Sequence, residues 1–225
     1  MAANQAPPPH PPQHRPTWLV VLTCLMLLAG GYSLVAGLLK LRDPTMILMV
    51  GGSETLDSEA DVDLNRQLTA ARLAAVTPHR GSLRVEASCE IALALFTLYA
   101  TAAVFARDRR GRALTLGVGI LGIGYQLAVL PLYLALTRDY AARGSALLAR
   151  SIVENVGPSS ADLSPDQITA RLHSAIVGGP VVAAAVGIAG SLVLIFFFGG
   201  RRGQLLYGIA KLPRTELRSE RRENP

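Results

Sequence analysis

Polar and apolar positions in this chain separate into long blocks instead of alternating. Residues 18–39, 113–136 and 175–200 are uncharged runs of 22, 24 and 26 residues, and residues 91–106 form a shorter fourth run of 16. A helix needs ~20 residues to cross ~30 Å of hydrocarbon at 1.5 Å per residue. Three runs meet that length outright. The fourth, about 24 Å long, needs another turn on its N-terminal side, which brings Glu90 to a membrane edge. The pattern predicts an all-α membrane protein with four transmembrane helices, at 18–41, 87–106, 113–136 and 174–200. Arg15 and small residues such as Ala29 and Ala36 offer a cleaved signal peptide as a rival account of the first run. The apolar region of such a peptide is 7 to 15 residues long, so a run of 22 favours retention. A lipoprotein reading fails because Thr23 stands before Cys24 and the apolar stretch ahead of it is too short.

The segments between the spans carry their own periodicity. In 42–86, "DSEADVDLNRQLTAARLAAV" pairs Ser58 with Asp61 as a capping box and places Leu64, Leu68, Ala71 and Ala75 on one helix face, suited to the membrane or to the bundle. In 137–173, "SPDQITARLHSAIV" has Ser164 as N-cap, Pro165 at the first helical position and Gln167 three residues past the cap. This reads as a helix feeding the fourth span, with a kink invited at Gly178–Pro180. Residues 1–17 form a Pro-rich, disordered arm, with His10 and His14 inside it.

Charge changes the picture by orienting it. The turn at 107–112 holds four arginines, and short arginine-rich loops stay cytoplasmic. Both termini are then cytoplasmic by parity. The cytoplasmic segments sum to 12 basic and 4 acidic residues, against 10 and 12 on the exported side. The net charge of +6 is thus a topology signal, and nucleic acid is not an expected partner. The implied location is the cell inner (plasma) membrane, multi-pass, with the bilayer as first partner. The basic tail, 201–225, also suits contact with anionic lipid through Leu205, Leu206 and Ile209.

The halves of the chain echo each other. "GYSL" at Gly31 returns as "GYQL" at Gly124, "QLTAARL" at Gln67 as "QITARL" at Gln167, and "RRGRAL" at Arg109 as "RRGQLL" at Arg201, at offsets of 93, 100 and 92 residues. Those offsets suggest a tandem two-hairpin repeat with helical exported loops, its axis along the membrane normal; chance similarity among abundant Ala, Leu and Arg is the competing account. Helix association in lipid leans on small residues that let backbones approach. The packing candidates are Ala29, Ser33 and Gly37 in the first span, Gly117, Gly124 and Ala128 on one face of the third with Gly119 and Gly122 opposite, and Gly179, Ala183, Gly187 and Ser191 in the fourth. These faces serve either the bundle itself or self-association and other membrane proteins.

Candidate chemistry is sparse. "GVGILG" (117–122) matches a dinucleotide fingerprint in letters, but it lies within a span, without the strand and aqueous crevice that such a site needs. Cys24 and Cys89 fall ~20 Å apart in depth, beyond the ~7 Å limit for a disulfide. His79 and His173 share the exported side without a further ligand at metal spacing. No metal, cofactor or catalytic residue is assigned. The ligand or ion-pair candidates are Lys40 and Glu90, at the same membrane edge, and the deeper Gln126 and Tyr133.

The stretch "AGLLKLRDP" (36–44), closing the first span, followed by Glu90 opening the second, resembles the DoxX and MauE-like four-helix membrane proteins. That resemblance implies quinone-linked or thiol redox partners and marks Lys40 and Glu90; the long segment between helices one and two and the lack of a redox cysteine pair depart from it. The leading functional reading is an accessory or scaffolding subunit acting through helix faces and exported loops, more a non-enzyme than an enzyme. Its rival is a small transporter or redox-linked membrane protein using Glu90, Lys40, Gln126 and Tyr133. The two readings diverge on whether those four side chains converge on one cavity.

Overall fold

The structure, a computed structural model, describes residues 17–48, 59–106, 108, 110–156 and 164–200. Every regular element among them is helical: α1 (Thr17–Arg42), a 3₁₀ turn (Pro44–Leu48), α2 (Glu59–Val76), a second 3₁₀ turn (Thr77–His79), α3 (Arg80–Phe105), α4 (Gly111–Val156) and α5 (Pro165–Gly199). Four helical stretches are long and apolar enough to cross a membrane: those of α1, of α2 with α3, of α4 and of α5. The Pro-rich arm at 1–16, Ser58 and the tail at 201–225 lie outside the described residues.

Local chemistry sets the helix ends. Lys40 and Arg42 stand in the last turn of α1, where positive charge complements the exposed carbonyls. Just beyond, the Asp43 carboxylate accepts hydrogen bonds from the Thr45 backbone N–H at 3.0 Å and the Thr45 hydroxyl at 2.7 Å, opening the first 3₁₀ turn. These two bonds hold the Asp43 pKa below its ordinary value. Pro78 lies in the turn that separates α2 from α3. At the start of α5, Ser164 and Gln167 form both halves of a capping box, Ser164 N–H to Gln167 Oε1 at 3.0 Å and Gln167 N–H to Ser164 Oγ at 3.3 Å. At its end, Arg112 donates from Nε to the Phe198 carbonyl at 2.7 Å and from Nη2 to that of Gly199 at 3.4 Å. An α4 side chain thereby satisfies carbonyls that α5 leaves open.

Two boundaries differ from the sequence expectation. α3 begins at Arg80, seven residues before position 87, so Glu86 is helical and not part of a loop. α4 runs unbroken through 137–156, where the sequence suggested a separate exported loop. Its 46 residues make a rod of ~69 Å, more than twice a bilayer's hydrocarbon thickness. The rod persists because burial continues at helical spacing: Leu136, Tyr140, Ala141, Gly144, Ser145 and Ala149 are buried, while Arg138, Asp139 and Arg143 are exposed. α5 likewise passes through Gly178–Pro180 without interruption.

Packing follows an antiparallel order, α1 on α3, α3 on α4, and α4 on α5, with α2 against α4. At one end, Trp18 stacks on Phe197 at 5.6 Å and meets Phe198 edge-on at 6.3 Å, bringing the start of α1 to the end of α5. Leu19, Leu22, Val104 and Phe198 form the core there. At the other end, Ala71, Ala75 and Val76 of α2 pack with Leu48, Leu83, Leu136 and Tyr140. The predicted face of α2 therefore lies on the bundle, with Leu68, Ala71 and Ala75 buried and Leu64 half-buried.

Small residues mark the tightest approaches. A Cβ on Gly37 would lie 2.8 Å from Ile91 Cγ1, and one on Gly30 would lie 3.1 Å from Leu98. In the α4–α5 pair, a Cβ on Gly119 would stand 2.7 Å from Ile195 Cγ1 and 3.0 Å from the Ser191 carbonyl, and one on Gly122 would stand 2.6 Å from Ser191 Oγ. Gly187 meets Gln126 in the same way, at 2.6 Å. Gly117 is in ordinary contact with Phe96 of α3 at 3.5 Å, so α4 packs on both sides. By contrast, a Cβ on Gly124 or Gly179 meets nothing within 4 Å, and Ala128 and Ala183 are exposed.

Candidate functional site

The packing of α1, α3 and α4 brings five polar side chains together. Lys40 comes from the last turn of α1, Glu86 and Glu90 are one turn apart on α3, and Tyr125 and Tyr133 come from α4. The hub is Glu86 Oε1, which accepts from Lys40 Nζ at 3.2 Å, Tyr125 Oη at 2.5 Å and Tyr133 Oη at 2.8 Å. Lys40 Nζ also donates to Glu90 Oε2 at 2.6 Å and to Tyr133 Oη at 2.8 Å. Three helices are tied by this one knot. Glu86 is 4% exposed, and its second oxygen, Oε2, is buried without a hydrogen-bond partner. An unpaired buried acceptor costs ~1–3 kcal/mol, more when charged, so this oxygen weakens the network that its neighbour holds together.

Beside the network lies a cavity of about 520 Å³ bounded by all four long helices. Its polar wall includes Glu90, Tyr125, Gln126, Ser33 and Ser191; most of the remainder is Leu, Val, Ala, Gly and Met. The size falls within the ~300–1,000 Å³ range of small-molecule sites, and an apolar lining with few converging polar groups is their usual character.

Of the four ligand or ion-pair candidates, Lys40, Glu90 and Tyr133 meet directly. Gln126 reaches the same space by another route, lining the cavity with Glu90 while packing on Gly187. Ala29 and Ser33, read as packing residues, line the cavity too, as do Gly187 and Ser191. Sequence reasoning missed Glu86 and Tyr125. Their signals were available: Glu86 is four residues before Glu90, the spacing of one helix face, and Tyr125 lies within the repeated "GYQL".

The other candidates stand apart from this site. His79 Nε2 lies 3.5 Å from Asp139 Oδ2, joining the second 3₁₀ turn to α4, and His173 is exposed. Cys24 and Cys89 are free and exposed. Gly119 and Gly122 of "GVGILG" serve the approach of α5. No family model, curated protein or solved structure matches the chain.

Proposed function

We propose that this chain is a multi-pass inner-membrane protein that binds a small molecule inside its helical bundle, in the manner of a small transporter. The observation that carries this reading is the cavity itself, whose wall shares Glu90 and Tyr125 with the network that also holds Lys40, Glu86 and Tyr133. Convergence is the feature that separates the transporter reading from the scaffolding one: Glu90 and Gln126 line the cavity, while Lys40 and Tyr133 stand behind its wall, Lys40 bonded to Glu90 and Tyr133 to Lys40 and Glu86. A quinone-like molecule, as the DoxX and MauE resemblance implies, is one chemistry such a wall could meet, through the Gln126 amide. Scaffolding or self-association is the second reading, favoured by the open small-residue face of α5 at Gly179 and Ala183.

The orientation proposed places both termini and the 107–112 turn in the cytoplasm, on the charge asymmetry. Duplication is proposed on the sequence echoes at offsets of 93, 100 and 92 residues. The fall in offset from 100 at Gln67 to 92 at Arg109 has a physical counterpart. The first copy holds eight more residues between those motifs, and there the Thr77–His79 turn breaks α2 from α3, while α5 is one continuous helix.

The ligand-binding reading is tested by thermal unfolding with a panel of small amphiphiles. Gly190 lines the cavity, and a Cβ there meets nothing within 4 Å, so Gly190→Leu fills space without a clash at its base. A ligand at one hundred times its Kd stabilises by ~2.7 kcal/mol. Compounds that raise the Tm of the unsubstituted protein are expected to lose that effect in Gly190→Leu. If no amphiphile discriminates between the two proteins, the reading fails.

A further inference from the structure

We infer that the molecule taken by this cavity is a lipophilic monovalent cation that enters sideways from the hydrocarbon between α1 and α5; this rests on the ligand-binding reading above and names its substrate class. Charge gives the sign. Lys40 faces two carboxylates, at 3.2 Å from Glu86 and 2.6 Å from Glu90, so the ionised trio carries one excess negative charge. Among the described residues, Glu90 is the charged member of the cavity wall, and no lysine or arginine lines it. Its Oε2 is engaged by Lys40, whereas Oε1 has no hydrogen bond among the described residues. In a low-dielectric setting an uncompensated charge is costly, and an anion brought here would add to it.

The body of the ligand follows from the rest of the wall. Leu22, Met26, Leu93 and Leu194 offer apolar contact and little hydrogen bonding, which suits a hydrophobic ion and not a hydrated metal or a polyamine. The route follows from exposure. Leu25, Val186 and Val193 line the cavity and are also 56%, 68% and 44% exposed, so α1 and α5 leave the wall open to the outside of the bundle along apolar side chains. The same two helices close on each other at the Trp18–Phe197 end. A ligand arriving through that opening passes hydrocarbon-facing groups before it meets Glu90.

The test uses the full chain purified in mild detergent, with tetraphenylphosphonium as probe and tetraphenylborate as a control of the same shape and opposite charge, titrated by calorimetry. Saturable phosphonium binding is expected, with borate at least about tenfold weaker. Glu90→Gln is expected to weaken phosphonium at least about tenfold, the scale of a charge-assisted contact, and Glu90→Asp to retain part of the affinity. Equal affinity for the two ions, or unchanged affinity in Glu90→Gln, overturns the inference. Should Glu90→Gln fail to fold, Gly190→Leu decides: phosphonium binding that survives the filled cavity overturns the inference equally. If phosphonium does not bind while a neutral amphiphile stabilises the unsubstituted protein and not Gly190→Leu, the cation inference falls and the ligand-binding reading stands. If neither binds, both fall.

Discussion

Glu86 concentrates the energetics of the site in one oxygen. Three donors converge on Oε1 while Oε2 has none, so the residue is held in place more firmly than it is satisfied. Removing one partner of a buried ion pair typically costs ~3–5 kcal/mol, because the remaining charge is stranded. Lys40→Met, which strands two carboxylates, is therefore expected to destabilise the protein by about that much in reversible denaturation in mixed micelles. The double variant Lys40→Met/Glu86→Gln should recover part of the loss, with a coupling of about 1–3 kcal/mol. Simple addition of the two single losses would mean that the network is not energetically connected. Legibility at this scale was uneven for a physical reason. Lys40 and Glu90 stand out because each borders an uncharged run. Glu86 escapes because run length places it on the loop side of position 87, whereas the helix that carries it starts at Arg80.

Helix contacts at the next scale depend on which small residues face a backbone, a distinction that spacing alone does not make. Gly119 and Gly124 both belong to small-residue patterns of α4. A Cβ at Gly119 would press on Ile195 and on the Ser191 carbonyl, which cannot swing away as a side chain end can; at Gly124 it would meet open space. Gly119→Ala is expected to cost about 1–3 kcal/mol through overpacking. Gly124→Ala should be neutral or stabilise by up to ~1 kcal/mol, the ordinary helical preference for Ala over Gly. The comparison is read from thermal unfolding of the two variants, and equal effects would contradict the α4–α5 register. The i, i+4 stripe in the fourth span was legible as a packing code, yet only its Gly187 and Ser191 half meets α4. Continuity of α4 was illegible to a reading keyed to hydropathy. Charged Arg138, Asp139 and Arg143 end the apolar run, but the opposite side of the same turns goes on burying Tyr140, Ala141 and Ala149.

Across the whole molecule, charge and packing point to one arrangement of ends. The Trp18–Phe197 stack and the Arg112 bonds to the Phe198 and Gly199 carbonyls gather the start of α1, the start of α4 and the end of α5 at one pole, next to the arginine-rich turn. At the other pole, α2 packs across α4, adjoining the segment whose acidic and basic residues nearly balance. The basic pole is the one that the cytoplasmic rule for short loops retains. Two reporter positions separate this orientation from its inverse, in a chain with Cys24→Ser and Cys89→Ser. Asp108→Cys is preferred to any arginine substitution because it leaves the basic turn its positive charges, and Asp108 is exposed; Thr69→Cys lies exposed on α2. An impermeant maleimide is expected to modify Thr69→Cys in intact cells and Asp108→Cys only after permeabilisation. The reverse pattern would invert the protein in the bilayer, place its charge-balanced pole in the cytoplasm, and leave the clustering of arginines at 107–112 without a topological cause.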